Sequence, residues 1–200
     1  GPLQSDTTAS SSTSGSSSSS GSASTSASSG QTGGVESSGN QAGGGTVHYG
    51  AVSWRFHESD FRPLSQFTER YGASAIPEDS SVIDWPLSYA ELEPYYDRIE
   101  YEIGVSGKAG NLQGRKIHGG NVFEATRKRD YPLPPLQVGQ AGANFEVAAK
   151  KLGYHPFSTP RAILSQPYKG RPACSYCGFC QGFGCHIGAK SSILVSVLPE

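Results

Sequence analysis

Residues Arg171 to Ser192 read RPACSYCGFCQGFGCHIGAKSS, and all four cysteines of the chain fall inside this run: Cys174, Cys177, Cys180 and Cys185, spaced C-x2-C-x2-C-x4-C. Thiolates are soft ligands. Four of them separated by Gly178, Gly182 and Gly184 can curl around one metal centre, because glycine accepts the positive-φ turns that such a loop requires. Zinc loops usually hold two C-x2-C knuckles apart by a longer insert, whereas crowded C-x2-C-x2-C spacing is the habit of ferredoxin-type clusters, so iron–sulfur ranks ahead of zinc. Free thiols or disulfides are the other reading. Cys174 and Cys185 could bridge in an oxidising compartment, while neighbours two residues apart bridge with difficulty, since their Cβ vectors must converge. His186 adds a donor beside Cys185, although a single histidine next to a cysteine is more often only a neighbour.

A second stretch, Asn40 to Gly50 (NQAGGGTVHYG), combines the consecutive glycines Gly43, Gly44 and Gly45 with Thr46 and His48. Three bare backbone units let N–H groups approach an anion, with pyrophosphate the usual ligand. Taken alone the signal is weak, because glycine-rich turns before strands are mostly just turns.

These stretches need elements to position them. Ala51 to Phe56 alternates as a strand would. From Ser88 the sequence predicts a helix to Gly104: Ser88 and Glu91 form a capping box, Leu92, Tyr95 or Tyr96, Ile99 and Ile103 recur at helical spacing, and Gly104 stops the run. Pro94 removes one backbone bond and predicts a bend or a restart near Glu93. The aromatic face is expected in the core and the acidic face in solvent. Val105 to Pro135 reads as a long functional or mobile loop carrying a solvated or ion-paired basic group, Arg127, Lys128 and Arg129. A second helix is predicted over about Gln140 to Leu152 with Phe145, Ala148, Ala149 and Leu152 inward, and a short one over Ile193 to Leu198 after Ser191 or Ser192.

Composition bounds the whole. With 26 glycines, 13 prolines and 35% hydrophobic residues in 200, part of the chain cannot build a core. Residues 1–34, almost entirely Ser, Thr, Gly and Ala, read as a flexible tail or linker, and order is expected from about Val35. The formal net charge of −1 gives no reason to expect nucleic acid as a partner. The chain contains no methionine, and Gly1-Pro2 fits the remnant of tag removal, so a processed or cut piece is expected. No apolar run is long enough for a membrane span, and no signal peptide is evident.

GGGTVHYGAVSWRF, YAELEPYYDRIEYEIGVSGKAGNLQG, GYHPF and CSYCGFCQGFGCHIGAKSS, in this order, resemble the gluconate 2-dehydrogenase flavoprotein branch of the glucose–methanol–choline (GMC) oxidoreductase family, over roughly Val35 to Glu200. The resemblance implies an α/β fold, α+β within this stretch, forming part of a GMC-type FAD-binding fold. It implies FAD as cofactor, with Asn40, Gly43, Gly44, Gly45 and Thr46 in the flavin-contacting stretch and His48 where some relatives attach the flavin covalently. It also implies a three-iron [3Fe-4S] cluster, which related subunits hold with C-x5-C-x3-C spacing. Cys174, Cys180 and Cys185 come closest, one residue longer in the second gap, and Cys177 is left as a spare or replacement ligand. Tyr176, Phe179 and Phe183 would then shield the cluster.

The function implied is oxidation of an alcohol group of a sugar or sugar acid, with electrons passing through the cluster toward a cytochrome c subunit or a quinone. A small subunit would accompany it, at the periplasmic face of a bacterial inner membrane. Two of the family's parts are missing here: the Gly-x-Gly-x-x-Gly motif, whose place the Ser-rich run occupies, and the C-terminal catalytic histidine. The stretch is therefore expected to be an internal fragment without turnover of its own. Against this stand a metal-binding or electron-transfer module without catalysis, and a zinc- or disulfide-stabilised structural module.

Overall fold

The computed structural model describes residues 43–198, which fall in a single compact unit, Val35–Glu200. The tail expected over residues 1–34, and Asn40, lie outside the described residues. Four helices appear: α1 (Pro63–Tyr71), α2 (Tyr89–Ile103), α3 (Gln140–Lys151) and α4 (Ile193–Ser196). A single two-stranded sheet joins β1 (Asn111–Leu112) antiparallel to β2 (Arg115–Lys116), with Asn111 opposite Lys116 and Leu112 opposite Arg115. The described residues are thus mixed helix and small sheet, compatible with α+β; the α/β form expected for the parent fold would need a parallel sheet, and none is formed among them.

Helix α2 follows its local code. Ser88 accepts the Glu91 N–H, while the Glu91 carboxylate accepts the Ser88 N–H at 2.7 Å, which closes the capping box; Gly104 ends the helix at φ 77°. The helix continues through Pro94 instead of restarting near Glu93. Its inward face meets the expectation in part. Leu92, Tyr96 and Ile103 pack against the core groups, whereas Ile99 is exposed, as is Tyr95, and the fully buried residues are Tyr89, Glu93 and Glu100. The reason is charge pairing across the fold. Arg55 holds Glu100 through Nε (2.9 Å) and Nη2 (2.7 Å) and Glu93 through Nη1 (3.2 Å), and Arg127, whose side chain is fully buried, also pairs with Glu100. Burial is tolerable for carboxylates so matched. Glu93, Asp97 and Glu100 recur on one side of the helix, where they receive Lys128, Arg129 and Arg127, so the basic group is ion-paired as expected.

The strand expected over Ala51 to Phe56 does not form as a ladder, although its in-and-out alternation is present. Ala51 is buried and Arg55 turns inward, whereas Val52, Trp54 and Phe56 are exposed; only an isolated bridge, Val52 to Arg161, remains. Helix α3 has the expected length, but of the four side chains expected inward only Ala149 is buried; Phe145 and Leu152 are 67% and 75% exposed.

The core forms two groups. Ala51, Val105, Tyr131, Ala162 and Ile163 make one, with Cys174 and Cys180 against it; Phe61, Tyr89 and Ala125 make the other. The first is organised on Pro160–Leu164. Within this segment Pro160 and Arg161 carbonyls accept from Ser53 and Ser106, Arg161 and Ala162 donate to Ser106 and Ala51, Ala162 accepts from Ser191, and Leu164 donates to Ala189 and accepts from Cys174.

Replacing Glu100 by Gln leaves two buried guanidinium groups short of their counter-charge, and the expected loss of stability is about 3–5 kcal/mol. Urea unfolding followed by circular dichroism measures it. A loss below about 1 kcal/mol, the range of exposed pairs, would contradict the structural importance of this network.

Candidate functional site

The glycine stretch forms a single 3-10 turn, Gly44–Thr46. Gly43 precedes it at φ 85°, and a Cβ there would lie 2.8 Å from both Leu194 Cγ and Val47 Cγ2, so only glycine fits. Thr46 is occupied structurally. Its hydroxyl donates to Gly43 O at 2.6 Å and accepts the N–H of Ile193, the first residue of α4, at 3.2 Å. Gly44 and Gly45 differ from Gly43: a Cβ at either would meet nothing within 4 Å. Space is thus left beside these two glycines, as close approach of a planar ring or a phosphate would need. His48 is half-buried, and its carbonyl accepts the Gly182 N–H at 2.8 Å.

That hydrogen bond is one of several that bring the two stretches singled out in the sequence together. Tyr49 donates its hydroxyl to Ser191 O at 2.6 Å, and Gly184 lies beside Val47. The strongest tie is Lys190, a residue only 1% exposed. Its ammonium donates to three carbonyls: Tyr49 (3.0 Å) in the glycine stretch, and Cys180 (2.6 Å) and Phe183 (2.7 Å) in the cysteine loop. All three of its protons are matched to acceptors, as a buried ammonium requires. Burial pushes the Lys190 amine below its usual range, partly offset by the thiols of Cys180 and Cys185. Arg171 does similar work one step away, donating to Ile103 O (2.5 Å) and Ser191 Oγ (3.0 Å). Neither cation was singled out by sequence reading. A lysine in a Gly-Ala-Lys-Ser-Ser run carries no local mark of burial.

The four cysteines are free thiols. Cys174 donates its N–H to Leu164 O and accepts the Tyr176 N–H on its sulfur at 3.3 Å; Cys177 is exposed; Cys180 and Cys185 are half-buried. Burial pushes the Cys180 thiol up, and among the neighbouring thiols Cys174 adds most to that rise. Cys185 behaves oppositely. Burial alone would raise it, but the backbone amides of Lys190, Ile187, Ala189 and Gly188 outweigh this and hold it below the ordinary thiol range. All four thiols share one neighbourhood. Among the described residues no group of three or more His, Cys, Asp or Glu side chains is placed to hold one metal ion. Nor do the aromatics shield the loop: Tyr176, Phe179 and Phe183 are 46%, 64% and 50% exposed, with Phe179 edge-on to Phe183. His186 is exposed.

Replacing Lys190 by Met is expected to orphan three carbonyls and release the cysteine loop from Tyr49, at a cost of about 2–4 kcal/mol. Hydrogen exchange at the Gly182 amide should rise well beyond that of α2. Equal acceleration at both places would show only general destabilisation and would remove Lys190 as the tie between the two stretches.

No family model matches the chain. It is 35% identical over 169 residues to the gluconate 2-dehydrogenase flavoprotein of Pantoea cypripedii, covering 80% of this chain and 28% of that protein. It is also 35% identical over 147 residues to the fructose dehydrogenase large subunit of Gluconobacter japonicus (74% and 23%), and 35% identical over 156 residues to the paromamine 6'-oxidase of Streptomyces fradiae (78% and 24%). The chain spans about a quarter of the length of these curated relatives. The likeness read from GGGTVHYGAVSWRF and CSYCGFCQGFGCHIGAKSS therefore holds, and the chain is a homologue of the gluconate 2-dehydrogenase flavoprotein and the dehydrogenases and oxidases grouped with it, the oxidoreductases of GMC type.

Proposed function

We propose that this chain is the flavin-contacting segment of an FAD-dependent dehydrogenase that oxidises an alcohol group of a sugar or sugar acid. The observation that carries the reading is the homology over most of the chain to a flavoprotein dehydrogenase, together with open backbone at Gly44 and Gly45 within the stretch so aligned. Bound FAD supplies a hydride acceptor for a carbinol carbon. The residues of this chain contribute support. Gly44 and Gly45 leave the approach unobstructed, Gly43 and Thr46 hold the turn against α4, and Lys190 fixes Tyr49 behind it. His48, two residues after Thr46, is where a covalent flavin link would fall. Electron transfer onward through an iron–sulfur centre at Cys174, Cys180 and Cys185, with Cys177 as spare ligand, is part of the same proposal and rests on the resemblance of the loop.

The whole enzyme, on this proposal, has the GMC-type FAD-binding fold and works with a small subunit and a cytochrome c subunit at the periplasmic face of a bacterial inner membrane. The designation of the Gluconobacter relative as a large subunit supports companion subunits. No helix among the described residues is long and apolar enough to cross a membrane.

The test is a chimera in which this chain's aligned residues replace those of the Pantoea flavoprotein. The chimera is expected to bind FAD and to reduce a dye acceptor with gluconate. Gly45→Val should then lower flavin occupancy at least about tenfold, roughly 1.4 kcal/mol, without loss of fold, because the added side chain has open space in this chain and ordinary φ. A folded chimera without flavin, or a Gly45→Val variant with full flavin, would overturn the reading. Flavin that stays with acid-precipitated protein, and is released from it on His48→Ala, would establish the His48 link; flavin released to the supernatant without the substitution would exclude it.

A further inference from the structure

We propose that the outward face of α3 is a docking seam for another helix of the parent flavoprotein, contributed by its chain outside this segment. Ala141, Phe145, Ala148 and Leu152 recur at intervals of four, three and four residues, the a/d spacing by which one helix receives another. All four are exposed.

The seam lies beside the face that α3 gives to the body of the fold, not opposite it. Helical geometry sets the buried Ala149 on one flank, together with Gly142, where a Cβ would come within 2.7 Å of Val138 Cγ1. On the other flank Gln140 Nε2 donates to Asn144 Oδ1 at 3.0 Å, with Lys151 on the same side, and Glu146 pairs with Lys150 farther round the helix. No charged side chain of α3 thus falls on the seam itself. Its residues alternate small and large, Ala141 and Ala148 against Phe145 and Leu152, so an incoming helix can set its own side chains over the alanines and approach to the usual interaxial distance of about 8–10 Å.

Size decides between occupants. A stable contact between separate molecules takes roughly 800 Å² from each, and two alanines with two large side chains on a helix of 12 residues supply much less. A second copy of the chain is therefore a poor occupant. Within one polypeptide the same seam suffices, because a linked partner is held at a high effective concentration. The chain covers 28% of the Pantoea flavoprotein, so most of that protein lies outside the matched residues and can furnish the helix. The inference uses the homology and is independent of the flavin reading.

Phe145→Cys is made in this chain and in the chimera, and iodoacetamide labelling of the introduced thiol is followed by peptide mass. The thiol is expected to react in the chain alone as fast as in an unfolded control, and at least about tenfold more slowly in the chimera. Phe145→Ser with Leu152→Ser should lower the melting temperature of the chimera and leave that of the chain alone unchanged, which a general loss of helix propensity would not do. The proposal is overturned if the thiol is equally open in both proteins, or if it is already protected in the chain alone, where a dimer by sedimentation would give the seam to a second copy. If the chimera does not fold, the Pantoea flavoprotein lacking the matched residues is supplied in trans to the chain carrying Phe145→Cys, and absence of protection there overturns the proposal equally. A chimera that protects the thiol but holds no flavin keeps the seam and removes only the flavin reading.

Discussion

The backbone of Pro160–Leu164 is the constraint on which the rest of this structure depends. A buried peptide group must be matched, and each unmatched one costs about as much as a lost hydrogen bond. This five-residue segment meets that requirement by pairing on several sides at once, with Ala51 and Ser53, with Ser106 after α2, with Ala189 and Ser191, and with Cys174. Parts of the chain more than a hundred residues apart in sequence are thereby brought to one place. Among the described residues no extended sheet forms around it, because each neighbour contributes only one or two residues before turning away, and the pairing takes the form of isolated bridges.

Charge closes the other side of the molecule. Arg55, Glu93, Glu100 and Arg127 take positions that apolar residues would ordinarily fill, with Arg127 also lying over the Tyr131 ring at 3.8 Å. Buried ions of this kind are expensive to desolvate and are held by one another, with Glu93 Oε2 reached only by Lys128 Nζ at 3.6 Å. The group's effect on packing is directional: once Glu93 and Glu100 turn inward, Tyr95 and Ile99 must turn out.

That trade explains which parts of the structure were legible in the sequence. The length of α2, its Ser88–Glu91 box and its Gly104 stop are local, written within a few residues, and the structure has them. The buried face of the same helix is only partly local: hydrophobic periodicity placed Leu92, Tyr96 and Ile103 against the core, but the burial of Glu93 and Glu100 depends on Arg55 and Arg127 from distant segments. For α3 the bounds were right and the inward face wrong for a related reason: periodicity says that a face is apolar, not that anything among the described residues covers it. At the candidate site, spacing identified the two stretches that matter, because glycine runs and cysteine clusters are rare enough to stand out. It could not show that Thr46 would be consumed in bracing the turn, that the thiols would share a neighbourhood without converging, or that a lysine would be buried between the stretches.

Lys190 also determines how the two stretches depend on each other. Its ammonium holds one carbonyl of the glycine stretch and two of the cysteine loop, so neither side can shift far without breaking a bond that serves the other. The coupling is strengthened by the Gly182 to His48 hydrogen bond, which ties the same two segments a few residues away. Gly182, at φ 87° with open space around its α-carbon, belongs to the loop, and His48 to the stretch aligned with a flavoprotein. In this arrangement the cysteine loop and the glycine turn share one support, a buried cation that donates to carbonyl oxygens on both of the segments it joins.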